Sequence, residues 1–354
     1  MTTGFFGRLW PHLSADRRRP PLAALAAESD PERFVWRMLP HAARTFGLAI
    51  VLLPARLARP VAAAYLWCRT LDTLEDLSPD ATSRAEGFAA CVAAAAGGGA
   101  PPLPVGAIVQ DVRDRAHLLL VARASLLGQF TATLAPDSRA RIAALVQTMA
   151  GGMEDAARRR ERGGGVLAAG PAREAYCRAV LAEPLAFAEA ELRAQGNDRA
   201  LTAERRRLTA LTGELIQLAN VCRDVEKDLA RGVAYDEALA PFLAAGAAPA
   251  AVVAGVRARL LQRVVELGDA VEPYFVGLPL DGRPGARAAA AVMCAATARF
   301  FQAANRRLER PVLDARAPIS DYGVTRAALM AATSTHGARI VFARLRRAFA
   351  PVAV

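Results

Sequence analysis

Histidine is scarce in this chain, with four in 354 residues, and none stands at ligand spacing from another. A zinc centre of the usual nitrogen and sulfur kind is therefore disfavoured. His117 and His336 lack acidic or cysteine partners at catalytic spacing and read as structural residues. His41 reads equally as a phosphate contact or a helix-start residue at the surface. Cysteine is sparse too: Cys68, Cys91, Cys177, Cys222 and Cys294 are odd in number and widely separated, with no CxxC pair. That excludes a disulfide-stapled scaffold and fits a reducing compartment. Apolar runs are broken by Arg or Pro before reaching the roughly 18 residues a membrane span needs. The opening MTTGFFGRLWPHLSADRRRP has no secretory n-region, h-region and cleavage order. The expectation is a cytoplasmic protein without a transmembrane segment, attached at most peripherally to a membrane.

Aromatic residues contribute only 6%, while hydrophobic residues overall make up 53%, mostly Ala, Leu and Val. Ala and Leu are strong helix formers. Two-residue alternation of the strand type is missing, whereas apolar residues recur at helical spacing, as in Phe46, Ile50 and Leu53, then Leu57, Val61 and Tyr65. The fold class is therefore all-α. Breakers at Gly97 to Pro104, Pro136, Gly163 to Pro171, Gly196, Gly246 to Pro249, Gly277 to Gly285 and Pro311 to Pro318 divide it into roughly ten helices. Length alone suggests about two domains, but no composition shift marks a linker. The reading is a short N-terminal extension over residues 1–30 and one helical domain over 31–350.

The formal net charge is +11, carried by arginine clusters at 17–19, 158–162, 205–207 and 344–347. No zinc-finger spacing, RNP-type aromatic segment or basic zipper accompanies them, so nucleic acid is not expected as a partner. Attraction to a membrane surface stays open. Gly163-Gly164-Gly165 lacks the Lys-Ser/Thr ending of a phosphate loop and reads as a mobile connection.

Two segments carry chemistry. In Tyr65 to Asp76 no breaker interrupts a helix, and Asp72 and Asp76 share a face that Arg69 and Tyr65 continue toward the N-terminus. In Gln217 to Asp228 the same spacing places Gln217, Asn220, Asp224 and Asp228 on one narrow face. If the two stripes face each other, four carboxylates surround a space that repels itself unless cations fill it. Magnesium suits that arrangement, since it takes one or two carboxylates, waters and substrate phosphate oxygens. With Arg69 and Arg223 nearby, such a cluster binds a diphosphate and stabilises its charge as it leaves. The allylic cation left behind needs a dry pocket lined by aromatic faces.

These residues, with Ala43-Arg44-Thr45-Phe46, Met149 to Met153, Tyr176-Cys177, Arg231 and Tyr235, resemble in order and spacing the squalene and phytoene synthase family. The resemblance runs from about Pro40 to Ser320 and is closer to the squalene synthase type. It implies a single-domain class I isoprenoid synthase-like bundle with a central channel. Carried over by match, Asp72, Asp76, Asp224 and Asp228 bind Mg²⁺ together with Asn220, and Tyr176 joins the four aspartates as a catalytic residue. Thr45, Phe46, Tyr65, Arg69, Gln217, Asn220, Arg223, Tyr235 and Arg316 are the expected substrate contacts. The implied activity joins two farnesyl diphosphates head-to-head to presqualene diphosphate or squalene, the latter with NADPH.

The chain departs from the family pattern at four places. Val180-Leu181-Ala182-Glu183-Pro184-Leu185 replaces a run of small residues, Ala43 replaces a serine, Lys227 an acid, and Phe300-Phe301 stand where a tyrosine is usual. Two other readings remain: cyclisation of one prenyl diphosphate in the manner of a terpene synthase, and a non-catalytic relative serving as a partner or membrane-surface scaffold.

Overall fold

The computed structural model describes residues 3–16, 18–43, 45–99, 109, 111–196, 201–314 and 321–352. Helix accounts for the regular structure, and among the described residues the only β pairing is two isolated bridges, Val166 with Ala234 and Leu313 with Pro351. The all-α expectation holds. The described residues contain seventeen α-helices where the breakers suggested roughly ten. The excess arises at short interruptions such as Arg123, which separates two helices with no Gly or Pro to mark the break.

The chain forms two compact units, the first made of residues 1–151 and 190–197, the second of 152–189 and 198–354. The first contains α1 (Phe5–Ser14), α2 (Leu22–Ala26), α3 (Pro31–Ala42), α4 (Thr45–Leu52), α5 (Ala55–Leu77), α6 (Ala81–Ala95), α7 (Val112–Ala122), α8 (Ala124–Ala132) and most of α9 (Pro136–Arg162). The second contains the end of α9, α10 (Pro171–Cys177), most of α11 (Glu183–Ala194), α12 (Ala203–Ala230), α13 (Ala250–Leu267), α14 (Val271–Val276), α15 (Pro284–Asn305), α16 (Asp321–Thr333) and α17 (Thr335–Arg347). No described helix is long and apolar enough to cross a membrane.

In the first unit, α3 begins where Asp30 accepts the Arg33 amide at 2.8 Å with Pro31 at the first helical position, a strong start signal. Its Phe34, Trp36, Met38 and Leu39 are buried with Leu57, Leu66, Trp67 and Leu71 of α5. The Trp67 indole satisfies its N–H on the Thr131 hydroxyl at 3.1 Å. Just before α3, the Glu28 carboxylate accepts the amides of Ser29 and Asp30, both at 3.1 Å, and is paired with Arg33 and Arg37. Burial acts to raise the Glu28 pKa, but the Asp30 amide and the two guanidiniums outweigh it, so the carboxyl titrates below the ordinary glutamate range.

In the second unit, α12 packs against α13, α14 and α15. It also packs against a single π-helical turn, Arg178–Ala182, that joins α10 to α11. Glu183 donates its amide five residues back to the Arg178 carbonyl. Pro184 follows, with no amide to give and a ring that crowds the carbonyl four residues earlier, which accounts for the wider turn. Close approach to this turn requires glycine. A Cβ on Gly213 of α12 would lie 2.5 Å from the Ala182 Cα, and one on Gly152 of α9 only 2.3 Å from the Ala179 Cβ.

The glycine-rich segment after α9 differs from the mobile connection expected of it. The Ala234 amide donates to the Gly165 carbonyl at 3.0 Å, and the Leu167 amide donates to the Ala234 carbonyl at 2.8 Å. Gly165 has φ +98°, and a Cβ there would meet the Gly232 carbonyl at 2.9 Å. The glycines serve a pinned crossing beside the end of α12.

Two stability outcomes follow. Gly152→Ala should lower the unfolding free energy by about 1–3 kcal/mol through overpacking. The neighbouring Gly151, where a Cβ meets nothing within 4 Å, should gain up to about 1 kcal/mol as alanine; denaturant melts of the two variants compare them. Glu28→Gln should cost about 1 kcal/mol at neutral pH by removing the buried charge that the Ser29 and Asp30 amides and the more exposed Arg33 and Arg37 guanidiniums converge on. Because the folded pKa of Glu28 is depressed, its contribution is present above the unfolded pKa and is lost as pH falls through the folded value. Thermal melts of wild type and variant should therefore converge below about pH 4.

Candidate active site

The first unit presents its acidic stripe on α5. Tyr65, Arg69, Asp72 and Asp76 follow one another at helical spacing, and the side chains of the first three form a connected chain of contacts. The Tyr65 hydroxyl donates to the carbonyl of Ala42, at the end of α3, at 3.3 Å. It accepts from the Arg69 guanidinium at 3.1 Å. Arg69 lies over the Tyr65 ring at 5.9 Å and pairs with Asp72 at 3.2 Å. Phe46 of α4 stacks on Tyr65 with ring centres 6.0 Å apart. A tyrosine thus fixes an arginine, and the arginine fixes a carboxylate.

The Asp72 carboxyl is pushed up to about 6, first by burial and further by Asp76, with Arg69 pulling the other way. Its side chain still keeps 25% of its surface accessible, and Asp76, one turn on, is exposed. A carboxylate so placed holds its negative charge at a cost that a hard cation relieves. Burial and charge act on Arg69 in opposite senses. Burial lowers its pKa, while Tyr65 and Asp72 together raise it above the ordinary arginine value, so it stays a fixed cation.

The second unit presents the other stripe on α12. Asn220 donates its amide nitrogen to the Gln217 side-chain oxygen at 2.9 Å, which turns the Asn220 carbonyl oxygen into the atom available to a hard cation. Arg223 grips Asp224 with both its Nε, at 2.8 Å, and a terminal nitrogen. The same guanidinium lies 5.6 Å from the Phe300 ring centre on α15. Adjacent helix positions do not ordinarily face each other, so this pair was not visible in the spacing; the long arginine arm wraps around to reach its neighbour.

Asp228 and Tyr235 line one small apolar cleft with Val221, Val225, Val233 and Leu239. Tyr235 stacks on Tyr176 of α10 with ring centres 5.6 Å apart, and its hydroxyl donates to that of Tyr176 at 3.3 Å. Arg173 holds the Tyr235 carbonyl at 3.0 Å. Two phenols and an aspartate therefore converge near the end of α12.

Spacing arguments missed several supporting residues. Arg257 of α13, buried, donates to the Cys222 carbonyl at 3.0 Å and to Glu226 at 2.9 Å, fastening the back of α12. Phe300, which stands where the family pattern has a tyrosine, lies beside the Arg223 guanidinium. All five thiols are buried, and burial pushes Cys222 up to about 11 and Cys91 and Cys177 to about 12, so none is poised as a nucleophile. Thr45 begins α4, with its side chain outside what the structure describes. Arg316 lies outside the described residues altogether.

The donor set fits magnesium. Among the described residues no group of three or more His, Cys, Asp or Glu side chains converges into a protein cage. Each stripe instead offers carboxylate oxygens one turn apart, with an arginine beside them. A cation that keeps most of its waters and takes substrate phosphate oxygens needs no more from the protein.

Two solved structures of TcSQS, one with ligand BPH1237 and one with E5700, resemble the chain at TM-scores of 0.65. Sequence identity is 16% and 17%, with 88% of this chain and 90% of the other covered in each case. At that identity they establish the shared fold. No curated protein gives a significant match. The squalene/phytoene synthase family model matches residues 39–323, a span that contains the α5 stripe, the paired tyrosines and the α12 stripe, and the chain belongs to that family.

Proposed function

We propose that this protein is a magnesium-dependent prenyltransferase that condenses two farnesyl diphosphates head-to-head, giving presqualene diphosphate or squalene. The observation that carries the reading is the Tyr65–Arg69–Asp72 chain of contacts on α5 with Asp76 one turn on, lying with the Asp224 and Asp228 stripe of α12 inside the family match. In this reading the two stripes serve one diphosphate centre and Mg²⁺ is held by Asp72, Asp76, Asn220, Asp224 and Asp228.

When bound, Mg²⁺ supplies Lewis-acid stabilisation of the departing diphosphate. Arg69 and Arg223 donate charge-assisted hydrogen bonds to the same leaving group. The allylic C–O bond breaks with its electron pair going to diphosphate, and the double bond of the second prenyl chain supplies the pair that captures the cation at C1. Loss of a proton closes the cyclopropane. In this reading the Tyr176–Tyr235 pair positions that intermediate, and apolar walls exclude water that would quench it. Reduction to squalene requires hydride, so NADPH separates the two products.

A second reading, cyclisation of one prenyl diphosphate, draws on the Arg178–Ala182 turn. Its Ala179 and Ala182 occupy the room left by Gly152 and Gly213, where the family's small residues leave space for a prenyl chain. Incubation with C10, C15 and C20 diphosphates and Mg²⁺, with and without NADPH, tells the readings apart. A C30 product from farnesyl diphosphate is expected; cyclic C15 or C20 compounds alone would replace the coupling reaction with cyclisation.

Asp72→Ala and Asp224→Ala should each lower turnover at least about a hundredfold while leaving the helical circular dichroism spectrum intact. Activity surviving both changes would remove the stripes from the site. Tyr65→Phe should cost about 1 kcal/mol of stability. By loosening Arg69 it should also weaken Mg²⁺-dependent binding of inorganic diphosphate about tenfold, measured by calorimetry.

A further inference from the structure

Helix α1 is turned inside out relative to an ordinary surface helix. Its two basic side chains face the protein: Arg8 is 3% exposed and His12 5%. The Arg8 guanidinium lies over the Trp36 ring at 5.4 Å. Burial lowers its pKa and the nearby Glu32 opposes that shift. The His12 ring sits against Gly47 of α4, where a Cβ would come within 2.7 Å of it. With that side committed to α3 and α4, the outward side is Phe6, Trp10 and Leu13, which are 81%, 71% and 66% exposed. At 3.6 residues per turn these three fall within about 60° of one another. Together with Phe5 they make four of the nine large apolar side chains exposed among the described residues, and the other five are spread over five separate segments.

Such a concentration of exposed aromatic surface marks an interaction site. Charge selects the partner. The helix is followed by the run Arg17 to Arg19, of which Arg18 and Arg19 are exposed, with only Asp16 beside them to offset it. A second copy docking through this end would bring two positive runs together with little opposite charge between them. An anionic lipid surface supplies that charge, and it accepts Phe, Trp and Leu at the headgroup boundary.

We propose that α1 is an interfacial anchor that lies in the headgroup layer of an anionic bilayer. Phe6, Trp10 and Leu13 insert, and Arg18 and Arg19 pair with lipid phosphates. The proposal stands apart from the chemistry at the aspartates and survives any outcome there.

The chain carries its own reporter. Trp36 and Trp67 are buried at 2% and 0% exposure, which leaves Trp10 as the tryptophan that can meet lipid. The full-length protein is mixed with phosphatidylcholine vesicles, with and without phosphatidylglycerol, and followed by flotation and by quenching from brominated lipid. Co-flotation with the anionic vesicles, a blue-shifted Trp10 emission and quenching by the brominated chains are expected. Phe6→Ser/Leu13→Ser, both at exposed positions and so without effect on the thermal midpoint, should lower partitioning at least about tenfold. Arg18→Gln/Arg19→Gln should lower it about tenfold at low salt and remove its salt dependence. The proposal is overturned by absence of flotation with either vesicle, by undiminished binding of the Phe6/Leu13 variant, or by a wild-type dimer that this variant converts to a monomer without any vesicle binding.

Discussion

A partly buried carboxylate with another carboxylate one turn away holds its charge at a cost that a nearby cation lowers. Asp72 is in that position: burial and Asp76 push its titration up to about 6, and Arg69 is the one neighbour that works against them. Arg69 in turn is fixed by the Tyr65 hydroxyl, which is itself anchored on the Ala42 carbonyl. The anchor ties the site on α5 to the end of α3, next to the segment that leads into Thr45 and Phe46. Asp76 stands one turn further along the same face and also feels the charge of Arg69. On α12, Arg223 holds Asp224 through Nε and one terminal nitrogen, which leaves its other N–H groups to donate elsewhere, and Asp228 stands one turn beyond. In both stripes an arginine is paired with one of two aspartates set one turn apart, and in the proposed reading these oxygens are the ones a hydrated divalent ion would use.

The rest of the second unit can be understood as holding α12 still. Arg257 fastens it from α13 through a backbone carbonyl and Glu226, and the crossing of Gly165 with Ala234 pins the chain that leaves its C-terminus. Gly213 lets the π turn approach to backbone contact. π turns inside helices are frequent at functional sites, and this one lies directly after Tyr176-Cys177 on the chain, so it sets the direction in which α11 departs from the paired tyrosines.

Much of this was legible in the sequence because it depends on helical period alone. Four-residue spacing put Asp72 with Asp76 and Asp224 with Asp228, and the absence of two-residue alternation gave the all-α class. What was not legible depends on side-chain reach and on pairings distant in sequence. Arg223 reaches its immediate neighbour because its arm is long, which no period predicts. Arg257 meets Cys222 across 35 positions. The glycines at 163–165 looked like a mobile connection because composition cannot show that Gly165 needs φ +98° to bond with Ala234. The outward face of α1 is likewise not legible from sequence, since Phe6, Trp10 and Leu13 follow the pattern of a core-facing stripe, and only the burial of Arg8 and His12 reveals which side is turned inward.

Whether the α5 and α12 stripes serve one metal–diphosphate centre, as proposed, is tested most directly by non-additivity. The affinity for inorganic diphosphate in the presence of Mg²⁺ is measured by calorimetry for wild type, Asp72→Asn, Asp224→Asn and the double variant. One shared centre predicts that either change loses most of the binding and that the double variant loses little more. Losses that sum on a free-energy scale would mean two independent sites and would contradict the account.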